Sequence, residues 1–163
     1  MIRRAGRADA RAVAAILAEF QDVFGEPRPD DVAMRSGVER LLAGGDAEYF
    51  LAGEPVVGVA ALRFRWSLIS QADDAYLEEL YVRESHRRRG LGRSLMEACF
   101  ARVRERGGSY LELGVDGGDR EAIAFYEALG FTDRSGGPDG PPVRVYARWV
   151  GEPPPWERGT WPL

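Results

Sequence analysis

Lysine is absent from this 163-residue chain, so all 22 of its basic residues are arginine. Schiff-base chemistry is thereby excluded, and so is a phosphate loop of the type that needs a lysine. Asparagine is missing as well, a bias of genome composition rather than of function. One histidine, His86, and one cysteine, Cys99, remove disulfide frameworks, metal sites built from Cys and His, and most nucleophilic triads. No metal is expected. No apolar run approaches a membrane span. The basic N-terminus leads into the short run Val13–Leu17, which Glu19 interrupts; that suits an amphipathic helix better than a leader. A soluble, cytoplasmic protein is expected, with no membrane partner. The net charge of −4 argues against general nucleic-acid binding.

What is present fits one globular domain, 45% hydrophobic and 29% charged, over residues 1–150. A Pro/Trp-rich tail, 151–163, carries Trp156 and Trp161 and is too rich in proline for a helix. The basic charge is concentrated between Arg83 and Arg93, where five arginines against Glu84 give a net +4 and leave −8 for the remainder. This stretch follows an apolar and aromatic run, Tyr76–Val82, that reads as a strand. It precedes Leu95, Met96, Cys99, Phe100 and Val103, which recur at helical spacing. A glycine loop, Gly90-Leu91-Gly92, between strand and helix aims backbone N–H groups at one centre, so this is a phosphate-binding place. Arginines at a helix N-terminus oppose its dipole unless an anion offsets them. A dinucleotide fingerprint would need a third glycine where Leu95 stands.

In chain order, Ile2–Ala5 reads as a strand. Asp9 is an N-cap for a helix presenting Val13, Ile16, Leu17 and Phe20, and a weaker helix runs from Asp31 to Leu42. Ala47–Ala52 and Val56–Trp66 form a hairpin around Gly53-Glu-Pro55. The helix from Leu91 to Arg106 and a strand at Tyr110–Val115 complete a βαβ unit with the Tyr76–Val82 strand, which makes those two strands parallel. A helix from Asp119 to Leu129 ends at Gly130 as C′. Strands at Phe131–Arg134 and Val143–Val150 close the reading.

Two motifs now carry a resemblance. Arg87-Arg-Arg-Gly90-Leu-Gly92 matches the Gln/Arg-x-x-Gly-x-Gly/Ala pyrophosphate loop of the GNAT superfamily of acyl-CoA-dependent N-acetyltransferases. Ala122-Ile-Ala-Phe125-Tyr126-Glu-Ala-Leu-Gly130-Phe131 resembles that family's downstream Ala-x-x-Phe-Tyr segment. The resemblance implies an α/β (α+β) fold: a mixed, mostly antiparallel sheet with a splayed central pair of parallel strands and helices on both faces. It implies acetyl-CoA as cosubstrate. Main-chain groups of Leu80 and Val82, flanking Tyr81, would pair with the pantetheine. Backbone N–H groups from Arg87 through Arg88, Arg89, Gly90, Leu91 and Gly92 to Arg93 would hold the pyrophosphate. The resemblance does not choose which of Arg87, Arg88, Arg89 and Arg93 reaches the ribose phosphate. Asp119 stands where the family often has asparagine; it can accept a cofactor N–H or cap its helix, and capping is the stronger reading.

Acyl transfer to an amine needs a base, an oxyanion donor and a proton for the departing thiolate. By the resemblance Tyr126 supplies that proton, and its ordinary pKa of about 10 keeps it protonated. Glu78 and Glu79 are adjacent in a strand, so alternation sends them to opposite faces and only one serves the site. Glu78 shares parity with Leu80 and Val82 and is preferred as base, with Glu79 second. The backbone N–H near Leu80 is the oxyanion candidate. His86 reads as a surface residue and Cys99 as packing. Asp22, Glu26, Asp30 and Asp31, with Phe20, Phe24 and Trp66, are candidates to receive a cationic amine. The expected function is transfer of acetyl to a primary amine, of a small molecule in the first instance, by direct attack in a ternary complex. The alternatives are acetylation of a protein N-terminus or lysine, and a non-catalytic acyl-CoA sensor. A homodimer is compatible with all three.

Overall fold

The computed structural model describes residues 1–137 and 139–157. The described chain divides into two compact units: Met1–Leu113 with residues 154–157, and Gly114–Pro153.

The first unit is built on five strands in sequential order: β1 (Ile2–Arg4), β2 (Ala47–Ala52), β3 (Gly58–Ser67), β4 (Ala72–Val82) and β5 (Leu111–Leu113). Neighbours are antiparallel through β4, and β4 and β5 are parallel. The sheet is therefore mixed and the fold α+β, as the sequence leads one to expect. Every residue of β2 is buried, because helices cover both faces. Helices α1 (Ala10–Phe24) and α2 (Asp31–Gly44) pack on the face that carries Tyr49, Leu51, Val59, Ala61 and Tyr81. Helix α3 (Leu91–Glu105) buries Leu95, Met96, Cys99 and Val103. Its Arg102 and Arg106 reach Glu48, whose side chain alternates with Ala47 and Tyr49 and so faces away from α1.

Local chemistry sets the element ends. The Asp30 carboxylate accepts the Ala33 N–H at 2.8 Å and starts α2. Asp9 does not cap α1; it accepts from Arg3 and from Gly6 N–H instead. Only Val38 of α2 is fully buried, so this helix lies along the core as a wall rather than inside it. Gly108 brings the chain back from α3 against the start of β4, where a Cβ would collide with the Asp73 carbonyl.

Glu48 is the polar centre of the α3 face. Arg102 holds it through Nε at 2.8 Å and Nη2 at 2.9 Å, Arg106 through Nη1 at 3.1 Å and Arg4 at 3.3 Å. Arg106 also pairs with Asp73 at 2.7 Å and lies 4.1 Å from the centroid of the Phe64 ring. Burial would push the Glu48 carboxyl up, but the hydrogen bonds and charges of Arg102, Arg106 and Arg4 together hold it below the usual carboxylate range.

In the second unit α4 (Arg120–Glu127) is capped by Asp119, whose carboxylate accepts the Ala122 N–H at 2.9 Å. Gly130 follows at φ +90°, as the sequence predicts for C′. The strands expected at Phe131–Arg134 and Val143–Val150 do not form among the described residues. One isolated bridge joins Arg134 and Pro142. The physical reason is local: Pro141 and Pro142 have no N–H to give, and Gly136 and Gly137 turn the chain at positive φ. Trp161 and the rest of the tail beyond Glu157 lie outside the described residues.

Replacing Glu48 by Gln leaves two partly buried guanidinium groups without their anion. The expected cost is about 2–3 kcal/mol, or ~5–10 °C in Tm at pH 7. The carboxyl is depressed in the folded state, so its contribution is present above the unfolded pKa and lost as pH falls through the folded one. The gap between the thermal melts of wild type and Glu48→Gln should begin to close as pH falls below about 4 and vanish only below the folded value of the carboxyl, which lies lower; an equal gap at every pH would remove the ionic explanation.

Candidate active site

The site starts with one extra residue. Along β3 and β4, Ala61 pairs with Glu79 and Leu62 pairs with Leu77, so Glu78 is an insertion opposite that single step of β3. A bulge of this kind bends the strand and re-aims its side chains. Both Glu78 and Glu79 consequently line one cavity of about 350 Å³. The alternation that would send them to opposite faces does not survive the bulge.

Tyr49, Ala61 and Glu79 form one row across β2, β3 and β4. The small Ala61 between them leaves a gap between phenol and carboxyl, and the cavity occupies that face of the sheet. Leu17 of α1 and Met34, Val38 and Leu41 of α2 form apolar walls. Pro27, Arg28 and Pro29 of the connection between those helices contribute, and Trp156 reaches the cavity from the tail.

The two carboxylates are not equivalent. Glu78 is paired with Arg63 at 2.8 Å. Glu79 forms no ion pair among the described residues; burial first, and the charge of Glu78 second, push its carboxyl up to about 7. Burial and the same carboxylates push the Tyr49 phenol up to about 12, so it stays a hydrogen-bond donor across the physiological range. The acidic residues expected to receive a cationic amine are used elsewhere. Asp22 and Asp31 share the Arg28 guanidinium at 2.7 and 2.8 Å, and Asp30 caps α2. Trp66 is 60% exposed, and neither it nor Glu26 lines the cavity.

The other edge of β4 is open where a cosubstrate is expected. β4 and β5 pair only over Ala75–Leu77 and Leu111–Leu113, after which β4 continues alone to Val82. Arg83 N–H bonds to Val57 O at 2.9 Å, toward β3. Alternation then turns the main-chain groups of Leu80 and Val82 to the free edge. There the Val82 carbonyl accepts a hydrogen bond from Arg87 Nε at 2.9 Å. Tyr81, between them, is buried toward α1, with its ring 5.2 Å from Phe20 and its hydroxyl 3.1 Å from Glu19. Glu19 also grips Arg83 through Nε and Nη2, at 2.8 and 2.6 Å. Arg83 holds the Glu19 carboxyl below its ordinary range. One of the five arginines of the basic stretch is therefore neutralised by α1.

A single 3-10 turn at Glu84–His86 leads into the glycine loop. Arg88 stands at φ +59° and Gly90 at φ +78°. A Cβ at Gly90 would touch nothing, so backbone conformation and not space calls for glycine there. No side chain caps α3 at Gly90 and no acidic residue lies in its first turn. The helix thus offers backbone N–H groups at Leu91, Gly92 and Arg93 beside exposed Arg89 and Arg93, a setting suited to a pyrophosphate. His86 Nδ1 lies 2.9 Å from Ser85 Oγ. Cys99 is fully buried, and burial pushes its thiol up to about 12, which leaves it unreactive.

Tyr126 and Asp119 belong to the second unit. Tyr126 lies edge-on to Phe125 and Phe131 at 5.3 and 5.7 Å, on the inner side of α4. Sequence reasoning missed Tyr49 and Trp156. Tyr49 needs the β2–β3 register to be linked to Glu79, and Trp156 needs the path of the tail.

A mixed sheet whose parallel pair parts after three residues, with a glycine loop opening the next helix, defines an acetyltransferase fold. The comparisons agree. The family model described as Acetyltransferase (GNAT) family matches residues 13–131. A crystal structure from Arthrobacter sp. FB24, assigned as an acetyltransferase, is 44% identical with a TM-score of 0.86, over 92% of this chain and 96% of that one. The ribosomal protein bS18 alanine N-acetyltransferase of Escherichia coli K12 is 39% identical over 61 residues, 37% of this chain and 41% of the relative. An uncharacterized N-acetyltransferase of Methanocaldococcus jannaschii is 34% identical over 50% of this chain and 36% of its own length. The match thus spans less than half of each of these curated relatives. An aminoglycoside acetyltransferase from a soil metagenome, in complex with sisomicin, shares the fold at 20% identity and a TM-score of 0.75, over 93% of this chain and 96% of that one. The chain belongs to the GNAT acetyltransferase family, whose membership implies acetyl-CoA as acyl donor. Among the described residues, no helix is long and apolar enough to cross a membrane.

Glu79 gives a check that does not depend on turnover. Its carboxyl is raised in the folded state, so the protein is most stable with it protonated and loses that advantage as pH rises from the unfolded value through about 7. Glu79→Gln should match wild type in stability near pH 4 and exceed it at pH 8, by on the order of 2 kcal/mol, read from thermal or denaturant unfolding. Equal melting at pH 8 would count against a raised carboxyl.

Proposed function

We propose that this protein transfers the acetyl group of acetyl-CoA to the primary amine of a small molecule, by direct attack within a ternary complex. The observation that carries the reading is the bulge in β4, which sets a half-buried carboxyl, without an ion pair among the described residues, in a cavity next to an open strand edge. Glu79 is the base in this reading, in preference to Glu78. Its conjugate acid near 7 makes it a stronger proton acceptor than an ordinary glutamate, whereas Glu78 is tied to Arg63. Main-chain groups of Leu80 and Val82 hold the pantetheine arm, with Arg87 giving up its bond to the Val82 carbonyl. The N–H groups of Leu91, Gly92 and Arg93 hold the pyrophosphate, and Arg88, Arg89 and Arg93 surround it with positive charge. The Leu80 N–H stabilises the developing oxyanion. Tyr126 returns a proton to the departing thiolate, a role that rests on the Ala122–Phe131 motif. Asp119 is already engaged as a helix cap, and its part toward the cofactor is that of holding α4.

The proton balance is simple. The acceptor first gives up the ammonium proton to solvent. Its neutral nitrogen then passes one proton to Glu79 as the N–C bond forms and the C–S bond breaks, and Tyr126 gives one to sulfur. Release of the Glu79 proton to solvent, with reprotonation of the Tyr126 phenolate, restores the site. Acetylation of a protein N-terminus is the second reading, favoured by the likeness to the bS18 alanine N-acetyltransferase.

Activity should rise with pH through about 7 as Glu79 ionises. Glu79→Gln should lower kcat/KM about 100-fold or more and erase that limb. Glu78→Gln should keep the limb and move it to lower pH, because the neighbouring negative charge is gone. A limb left unchanged in Glu79→Gln would overturn the assignment. Tyr126→Phe should reduce kcat far more than acetyl-CoA affinity, read from thiol release and from the thermal stabilisation that acetyl-CoA provides; wild-type turnover would eliminate Tyr126 as acid. Release of CoA with small amines but not with Ala-initiated peptides separates the two acceptor readings.

A further inference from the structure

The cavity has more to say about its occupant than that it carries an amine. Among the described residues, three charged side chains line it: Arg28, Glu78 and Glu79. Arg28 is positive, and its partners Asp22 and Asp31 stand outside the lining. Glu78 is neutralised by Arg63. One carboxyl, Glu79, is left to face a cation, and it is itself half-protonated near neutrality. With Arg28 held by Asp22 and Asp31, a polycation would find in the lining one carboxyl without an arginine, Glu79, and would shed the water around several ammonium groups for little return. Beside Gln21 and Tyr49, the same lining carries the apolar side chains Leu17, Met34, Val38 and Leu41 on the helices, with Trp156 arriving from the tail. At about 350 Å³ the cavity stands at the small end of the range for ligand sites.

Resting on the acetyltransfer reading above, we propose that the acceptor is a compact monoamine carried on an apolar or aromatic body, and that Trp156 is the specificity-determining wall that recognises this body. The tail segment reaches the cavity through Trp156, which is 43% exposed. An indole presents a flat apolar face to an aryl or alkyl group and an electron-rich one to a passing ammonium. Its removal widens the cavity without touching Glu79.

The test measures CoA release with 2-phenylethylamine, spermidine and kanamycin as acceptors, for wild type and Trp156→Ala. The expected result is a kcat/KM for 2-phenylethylamine at least tenfold above that for either polycation. Trp156→Ala should raise KM for 2-phenylethylamine about tenfold and leave KM for acetyl-CoA unchanged. Equal or better use of the polycations, or an unaltered KM in Trp156→Ala, overturns the proposal. If no amine releases CoA, the acetyltransfer reading fails by itself, and direct binding of 2-phenylethylamine then decides the cavity. Saturation-transfer NMR that detects binding to wild type and a loss in Trp156→Ala upholds the recognition, and absence of binding to wild type rejects it.

Discussion

A single inserted residue, Glu78, governs how this molecule is arranged. Strands β3 and β4 keep their hydrogen bonding on either side of it, yet the faces presented by β4 exchange at that point. Before the bulge, Leu77 is buried and Ala75 and Leu77 face β5 with their main chain; after it, Tyr81 is buried toward α1. The same local event turns two carboxylates into one cavity and releases β4 from β5. A strand that had continued in register would keep its parallel partner and would divide the two glutamates between the faces of the sheet.

Around this step the arginines act as clamps. Glu48 gathers Arg4, Arg102 and Arg106 beneath α3, while Glu19 takes Arg83 and the Tyr81 hydroxyl at the far end of β4. Planar guanidinium groups satisfy several acceptors at once, which lysine cannot do. The first clamp fixes the body of α3 and the second fixes the place where β4 runs into the glycine loop. Arg63 on Glu78 is a third, and among the described residues it leaves Glu79 as the cavity carboxyl without a counter-charge. The chemistry of the cavity thus follows from which carboxylates were given an arginine.

The sequence is legible where structure is local. The β2 boundaries, the start of α3 at Leu91, the cap at Asp119 and the turn at Gly130 follow from periodicity, glycine and side-chain capping. The parallel relation of β4 and β5 follows from the helix between them. What was not legible depends on register or on distant partners. No pattern in Tyr76–Val82 marks Glu78 as unpaired, because a bulge is a relation between two strands. The acidic residues of the α1–α2 connection looked available as a group, but Arg28 lies among them and uses two. The β-branched run Val143–Val150 reads as a strand by composition, and the prolines ahead of it stop a ladder from starting.

The hydrogen bond from Arg87 Nε to the Val82 carbonyl bears on something other than catalysis. A strand edge with unsatisfied amides and carbonyls is a template on which another chain can add itself, and such edges are common starting points for aggregation. Here the edge of β4 that β5 leaves unpaired ends under a charged guanidinium from its own loop. That arrangement admits a slender partner able to displace one side chain, and it places a bulky positive charge in the path of a second polypeptide strand. The loop proposed above as an anion cradle is thereby also placed to guard this seam of the sheet against misassembly.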